Sequence, residues 1–366
     1  MILNKNIGVT DKLLFLTIII VSLLGLTILY SATNENLDVV IRQGTRLIFC
    51  FFLMLFISSL DINRLKIISP YVYVISIFLL IITLFWGHDS KGATRWIMIF
   101  GFSLQVSEIL KVILPMMLAW FLSLSEDKEI DFTKLVISFL IIFLPISFVI
   151  KQPDLGTSLI ILLCGIISIF LGGIKRTHIM YIFGLFLVVA PLMWKFLLLP
   201  YQKKRILTLI DPSSDPLGSG YHIIQSKIAV GSGGFFGKGF LNGTQSQLEF
   251  LPERGTDFIF AVFAEEFGFF GIMILFLLYL IIILRCIHIT HKAKNYFSKI
   301  LAGSITCIFV LLIITNVSMA IGLLPVVGVT LPLLSLGGSS LLSIFFAFGI
   351  MFSFNRRAVS YTHLTL

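Results

Sequence analysis

The chain has 366 residues, 58% of them hydrophobic and only 12% charged, with 36 Phe and a formal net charge of +9. Soluble domains run about 45–50% apolar and about 25% charged, so this inventory cannot cover a water-exposed surface, and a soluble enzyme, a disordered scaffold and a disulfide-stapled secreted domain are excluded. The bilayer is the solvent, and the basic excess reads as charge flanking membrane spans rather than as a nucleic-acid surface.

A spanning helix takes about 20 apolar residues. Apolar runs and their polar punctuation predict ten, near 13–31, 45–60, 71–86, 104–124, 135–150, 155–173, 177–195, 257–284, 300–323 and 339–354. Helices are required because unsatisfied backbone is too costly in lipid, and nothing alternates like a barrel strand. The first run is too long for a signal peptide and ends without an A-x-A site, so it is retained as a span. Cys50, Cys164, Cys286 and Cys307 lie in or beside apolar runs without metal or redox spacing and read as small apolar fillers.

Ten spans put both termini on one side. On the cytoplasmic assignment the inside segments hold fourteen Lys and Arg and the short outside loops five (Arg42, Arg46, Lys91, Arg95, Lys151), which orients the chain N-in and C-in. The predicted fold is therefore an all-α polytopic membrane protein of about ten transmembrane helices, with a long extracytoplasmic loop, about 196–256, between helices 7 and 8. That loop carries Ile223, Ile224, Ile228, Val230, Phe235, Phe236, Phe250 and Leu251 and is expected to fold back on the membrane domain. The tail, 358–366, has no assigned role.

Polar residues in such a chain are few. In the third outer loop, KGATRWIMI presents Lys91, Arg95 and Trp96, an interfacial anchor or a contact for an anionic diphosphate. In the fourth span, QVSEILKVILP puts Glu108 and Lys111 on one helical face, either as an ion pair between helices or as the wall of an outward cavity. At the sixth, KQPDLGTS places Asp154 at a helix start, as a cap or a substrate contact. Lys203, Lys204 and Arg205 cluster on the outer side against the positive-inside trend, suggesting phosphate or lipid headgroups. Five glycines within Gly231 to Gly239 lack the GK[ST] of a nucleotide loop and suit tight turns and close backbone approach. Finally LPERGTDFIFAVFAEEFG sets Glu253, Arg254 and Asp257 at the mouth of the eighth span, with Glu265 and Glu266 deeper. Asp257, at an aqueous boundary, reads as a general base or as the N-cap of that span.

The stretch from Tyr201 to Gly271, with ATRW at 93–96, SEILK, KQPDLGTS and GLLPVVGVTLPLLSLGGSS at 322–340, closely resembles the SEDS family (shape, elongation, division and sporulation), nearest its rod-shape members. The resemblance runs from the first span to Arg357 and implies one transmembrane domain over 1–357, with 196–256 as its periplasmic loop. It implies a multi-pass protein of the bacterial cytoplasmic (inner) membrane with its active site on the periplasmic face. The implied activity is a peptidoglycan glycosyltransferase that polymerises lipid II during cell elongation and releases undecaprenyl diphosphate. The implied partners are a class B transpeptidase, penicillin-binding protein 2, and other elongation-complex proteins, with no nucleic acid. The family's essential acid falls on Asp257 and its fourth-span pair on Glu108 and Lys111. Four positions depart from the family's usual pattern: Ser103 for a commonly basic residue, Val106 for Pro, Gly255 for His and Leu336 for Tyr.

On this reading Asp257 takes the proton of the acceptor hydroxyl, while Arg205, Lys203, Arg95 and Lys111 are candidates to meet the diphosphate, in a cavity to which Trp96, Asp154, Glu108 and Glu253 contribute. A divalent metal such as Mg or Mn at the diphosphate is left open, with no dedicated ligand cluster in the sequence. A lipid II flippase and a non-catalytic scaffold for the transpeptidase are the rival classes. No internal repeat of the kind alternating access predicts is found.

Overall fold

Each of the ten apolar runs lies on a helix. The structure, a computed structural model, describes residues 11–90, 93–99, 102–124, 129–215, 218–247, 250–251 and 253–362. Lys91 and the last four residues of the tail lie outside the described residues. In chain order the elements are α1 (Lys12–Ala32), α2 (Leu37–Ser58), α3 (Ile62–Trp86), β1 (His88–Ser90), β2 (Ala93–Ile99), β3 (Phe102–Leu104), α4 (Val106–Leu122), α5 (Phe132–Lys151), α6 (Leu155–Leu171) and α7 (Arg176–Leu192). They continue with α8 (Pro200–Ile210), α9 (Ser219–Ser232), α10 (Thr244–Gln247), α11 (Ile259–Lys292), α12 (Tyr296–Ala320) and α13 (Gly338–Thr362). Among the described residues seven helices, α1, α2, α3, α5, α11, α12 and α13, are long and apolar enough to cross a membrane. Helices α4, α6 and α7 have 17 residues each, which at 1.5 Å per residue is about 26 Å.

The centre of the bundle is α4, α12 and α13, with α2, α3, α5 and α11 around it. Thirteen of the seventeen residues of α4 are buried, whereas α2 turns Phe52 (68% exposed) and Phe56 (64%) outward. A ring of phenylalanines facing out is what a lipid solvent permits and water does not. The first helix is fixed at its start: the Asp11 carboxylate caps the Leu14 amide at 3.1 Å and takes both Nε (2.9 Å) and Nη2 (2.7 Å) of Arg285 near the end of α11.

The loop between α3 and α4 departs from helix. Strand β2 pairs antiparallel with β1, His88 opposite Trp96, and with β3, Ile97 opposite Leu104. Thr94, Trp96, Ile97, Met98 and Ile99 are β-favouring types placed between turns, and this small sheet takes residue 104 from the predicted fourth span.

The long loop folds onto the bundle through α8, α9 and α10, with α9 against α11 and α12. The Ser226 hydroxyl donates to Ala320 O at the end of α12 at 2.6 Å. Its glycines have one specific task. Helix α11 breaks at Gly268 (φ 63°, ψ −165°), and the backbone groups freed there bond to the glycine segment. Phe269 N and Phe270 N donate to Gly234 O and Phe235 O, both at 3.0 Å, while Lys238 N and Gly239 N donate to Glu265 O and Glu266 O, both at 3.0 Å. A Cβ on Gly237 (φ 80°) would lie 2.1 Å from Glu266 O, so only glycine lets the two backbones meet. The Glu265 carboxylate seals the joint, accepting from Lys238 Nζ (2.7 Å), Thr244 Oγ1 (3.0 Å) and Gln245 N (3.0 Å).

The segment between α12 and α13 turns into the protein from Val329 onward. Val329, Leu331, Leu333 and Leu334 are buried, and the segment's polar backbone is satisfied internally, as lipid requires. Pro332 O accepts from the Tyr279 hydroxyl at 2.7 Å, Ser335 O from Gln43 Nε2 at 3.3 Å, and Leu331 N donates to Ser335 Oγ at 2.8 Å.

Candidate active site

One cavity gathers most of the polar residues that the sequence singled out. It has a volume of about 490 Å³, and its lining includes Arg95, Trp96, Glu108, Asp154, Arg205, Glu253 and Asp257, drawn from five different places in the chain. Ligand cavities typically span about 300–1,000 Å³, so this one is of binding size.

Asp257 stands two residues before α11. The N-cap of α11 is Phe258, so the N-cap position falls one residue past Asp257. The approach is a tight turn in which Glu253 O accepts from the amides of Thr256 (3.1 Å), Asp257 (3.1 Å) and Phe258 (3.3 Å). That turn leaves Asp257 half-buried at the cavity, where a carboxylate is both desolvated and reachable. Thr256 Oγ1 donates to Glu253 Oε2 at 3.2 Å.

Asp154 takes the capping role its position allowed and also lines the cavity. One oxygen caps α6 through Thr157 N at 3.2 Å, and the other accepts from Gln105 Nε2 at 3.3 Å. Arg95 lies 3.7 Å from that second oxygen and donates to Pro153 O (2.6 Å) and Gln152 O (3.3 Å). The guanidinium thus bridges β2 to the α5–α6 turn and neutralises Asp154, while Trp96 beside it faces the cavity instead of serving only as an interfacial anchor.

Glu108 and Lys111 form a buried ion pair at 2.6 Å, with side-chain exposures of 11% and 3%. Glu108 lines the cavity and Lys111 does not. Lys111 therefore holds Glu108 from beneath, and the diphosphate contact considered for it is not what the geometry offers. Arg205 lines the cavity and donates to Val326 O at 3.2 Å. Lys203 is absent from the lining, and Lys204 pairs with Asp215 at 3.0 Å. Nearby in α9, the His222 ring packs against Phe258 with centroids 6.4 Å apart, and burial lowers its pKa against the opposing pull of Asp215 and Glu253.

The other wall is the segment before α13 and the first turn of that helix: Val326, Val327, Gly328, Thr330, Leu336, Gly337, Ser339 and Ser340. Sequence reasoning left these residues out of the site. The available signal was GLLPVVGVTLPLLSLGGSS itself, a loop with turn residues yet too apolar for water. Ser339 Oγ accepts from Gln105 N at 2.8 Å, which ties this wall to the start of α4. Among the described residues no group of three His, Cys, Asp or Glu side chains is placed to hold a metal ion.

The chain matches known proteins over almost its whole length. The FtsW/RodA/SpoVE family of cell cycle proteins matches residues 6–359. The peptidoglycan glycosyltransferase MrdB of Escherichia coli K12 is 41% identical over 344 residues, covering 94% of this chain and 92% of that one. The peptidoglycan glycosyltransferase RodA of Treponema pallidum is 30% identical, covering 96% and 99%. In structure, a chain from a peptidoglycan synthase complex that coordinates polymerization and crosslinking superposes with a TM-score of 0.83 at 29% identity, covering 95% and 98%. The crystal structure of the rod shape determining protein RodA of Thermus thermophilus superposes with a TM-score of 0.71 at 24% identity, covering 94% and 96%, and shares the fold.

Proposed function

This integral membrane protein belongs to the FtsW/RodA/SpoVE family, and on that premise we propose that it is a peptidoglycan glycosyltransferase that polymerises lipid II during cell elongation. The observation that carries the reading is the convergence of Asp257, Glu108, Asp154, Glu253, Arg95, Arg205 and Trp96 on one cavity. The names of the relatives and the synthase complex of the structural neighbour support it. Residues 1–357 act as one domain. The charge bias places the protein N-in and C-in in the cytoplasmic membrane, and so puts the 196–256 loop and the cavity on the outer face.

The reaction follows from the chemistry of the lining. Asp257 removes the proton of the acceptor sugar's hydroxyl, whose oxygen forms a bond to the donor's anomeric carbon. The bond from that carbon to the diphosphate breaks, and undecaprenyl diphosphate leaves with the electron pair. Negative charge grows on the diphosphate, so preorganised cations lower the barrier. Arg205 is the lining cation held only by a backbone carbonyl among the bonds above, and Arg95, already neutralising Asp154, stands behind it. A class B transpeptidase, penicillin-binding protein 2, with other elongation-complex proteins, is the partner that crosslinks the product.

The test is the purified protein given lipid II, with and without that transpeptidase. Glycan polymer and released undecaprenyl diphosphate are expected. Headgroup translocation in liposomes without polymer would instead establish a flippase. In the same assay Arg205→Ala raises the KM for lipid II by about tenfold, the scale of one charge-assisted hydrogen bond, whereas Lys203→Ala leaves it unchanged. Equal effects of the two would return the basic cluster to headgroup anchoring.

A further inference from the structure

Three consecutive carbonyls lead into α11, and each is held by a donor from 316–336. Gly255 O accepts from Leu336 N at 2.8 Å, Thr256 O from Ser335 Oγ at 2.6 Å, and Asp257 O from Asn316 Nδ2 at 2.9 Å. The second proton of the same Asn316 amide goes to Val329 O at 2.6 Å. Val329 follows Gly328, whose backbone (φ 77°) passes so close that a Cβ there would lie 3.6 Å from Asp257 Oδ2. One side chain therefore fixes two things: the main chain of the acid and the main chain that runs beside its carboxylate.

Asn316 is fully buried, four residues before the end of α12. An amide within an apolar helix is costly unless it is bonded, and this one is retained as a double donor, because its Oδ1 has no hydrogen-bond partner among the described residues. No other side chain of this size does the same. Leu has no donor, ionised Asp has none, Ser has one, and Gln is a methylene longer.

We propose that Asn316 is the positioning residue for Asp257, setting the carboxylate against the acceptor hydroxyl without touching either sugar; the inference rests on Asp257 acting as the base. Misplacing a reacting group by about 1 Å costs up to about 100-fold in rate, and such a loss falls on kcat because substrate contacts are unchanged.

The experiment compares Asn316→Leu and Ser335→Ala with Thr315→Val, whose hydroxyl bonds only within its own helix, to Leu311 O at 2.7 Å. Asn316→Leu should lower kcat on lipid II by about 100-fold with KM kept within about threefold. Ser335→Ala should lower it less, and Thr315→Val should not lower it. A folded Asn316→Leu protein with unchanged kcat, or one that loses rate only through KM, overturns the proposal. An activity-free reading uses Asp257→Cys in a Cys307→Ser background, with Asn316→Ser, which keeps one donor, as the milder change. The maleimide labelling rate of the introduced thiol should shift severalfold when Asn316 is replaced, and an unchanged rate overturns the proposal. Wild-type protein that makes no polymer would defeat the function reading, while the labelling result would still decide the positioning claim.

Discussion

Asp257→Asn leaves a folded protein that still binds lipid II and polymerises it about a thousand times more slowly. The substitution is isosteric, and the bonds that hold this residue's main chain, from Asn316 and to Glu253 O, involve backbone atoms and survive it. What is lost is the acceptor for the hydroxyl proton, and general-base catalysis supplies about 10²–10⁴-fold in rate. Asn caps a helix about as well as Asp, so the change carries little cap penalty. Polymer length on gels and lipid II binding by the same preparation check the two halves of the prediction. Activity within threefold of wild type, with the protein folded, would remove Asp257 as the base and leave the polymerase in need of another proton acceptor.

Much of this site was legible in the sequence because a membrane makes polarity expensive. Glu108, Asp154, Arg95 and Asp257 stood out against apolar surroundings, and the structure brings all four to one cavity. What the sequence hid is three-dimensional in origin. Lys203 and Arg205 are two residues apart, so on α8 they point to different sides. Only Arg205 meets the cavity, and a cluster count cannot tell them apart. The break at Gly268 was hidden because the segment that rescues its backbone lies about thirty residues earlier. The wall at 326–340 was hidden because hydropathy separates spans from loops and has no category for irregular backbone that packs into the protein. Its carbonyls are satisfied by Asn316, Tyr279 and Gln43, each from a different helix. The strands of the loop between α3 and α4 were masked by their proximity to a span of the same apolar character.

The pair on α4 admits two readings, a structural lock or a cavity wall, and its geometry predicts a result that separates them. Lys111→Met keeps the length of the side chain but strands Glu108, whose carboxylate lies 2.6 Å from the lysine in the centre of the bundle. Removing one partner of a buried pair costs about 3–5 kcal/mol, because an uncompensated charge remains. The melting temperature in detergent should fall sharply, and polymerisation should be lost with it. In the double variant Glu108→Gln, Lys111→Met no charge is stranded, and replacing a buried pair as a whole is close to neutral, so most of the melting temperature should return. Glu108 but not Lys111 lines the cavity, and the Glu108 main chain is held independently, its carbonyl accepting from Ser343 Oγ at 2.9 Å. The helix therefore stays in place while the carboxylate disappears from the wall. If the pair is only a lock, activity returns with stability. The lining position of Glu108 predicts the opposite: a stable, lipid II-binding protein whose turnover stays low, because the cavity wall has lost its charge.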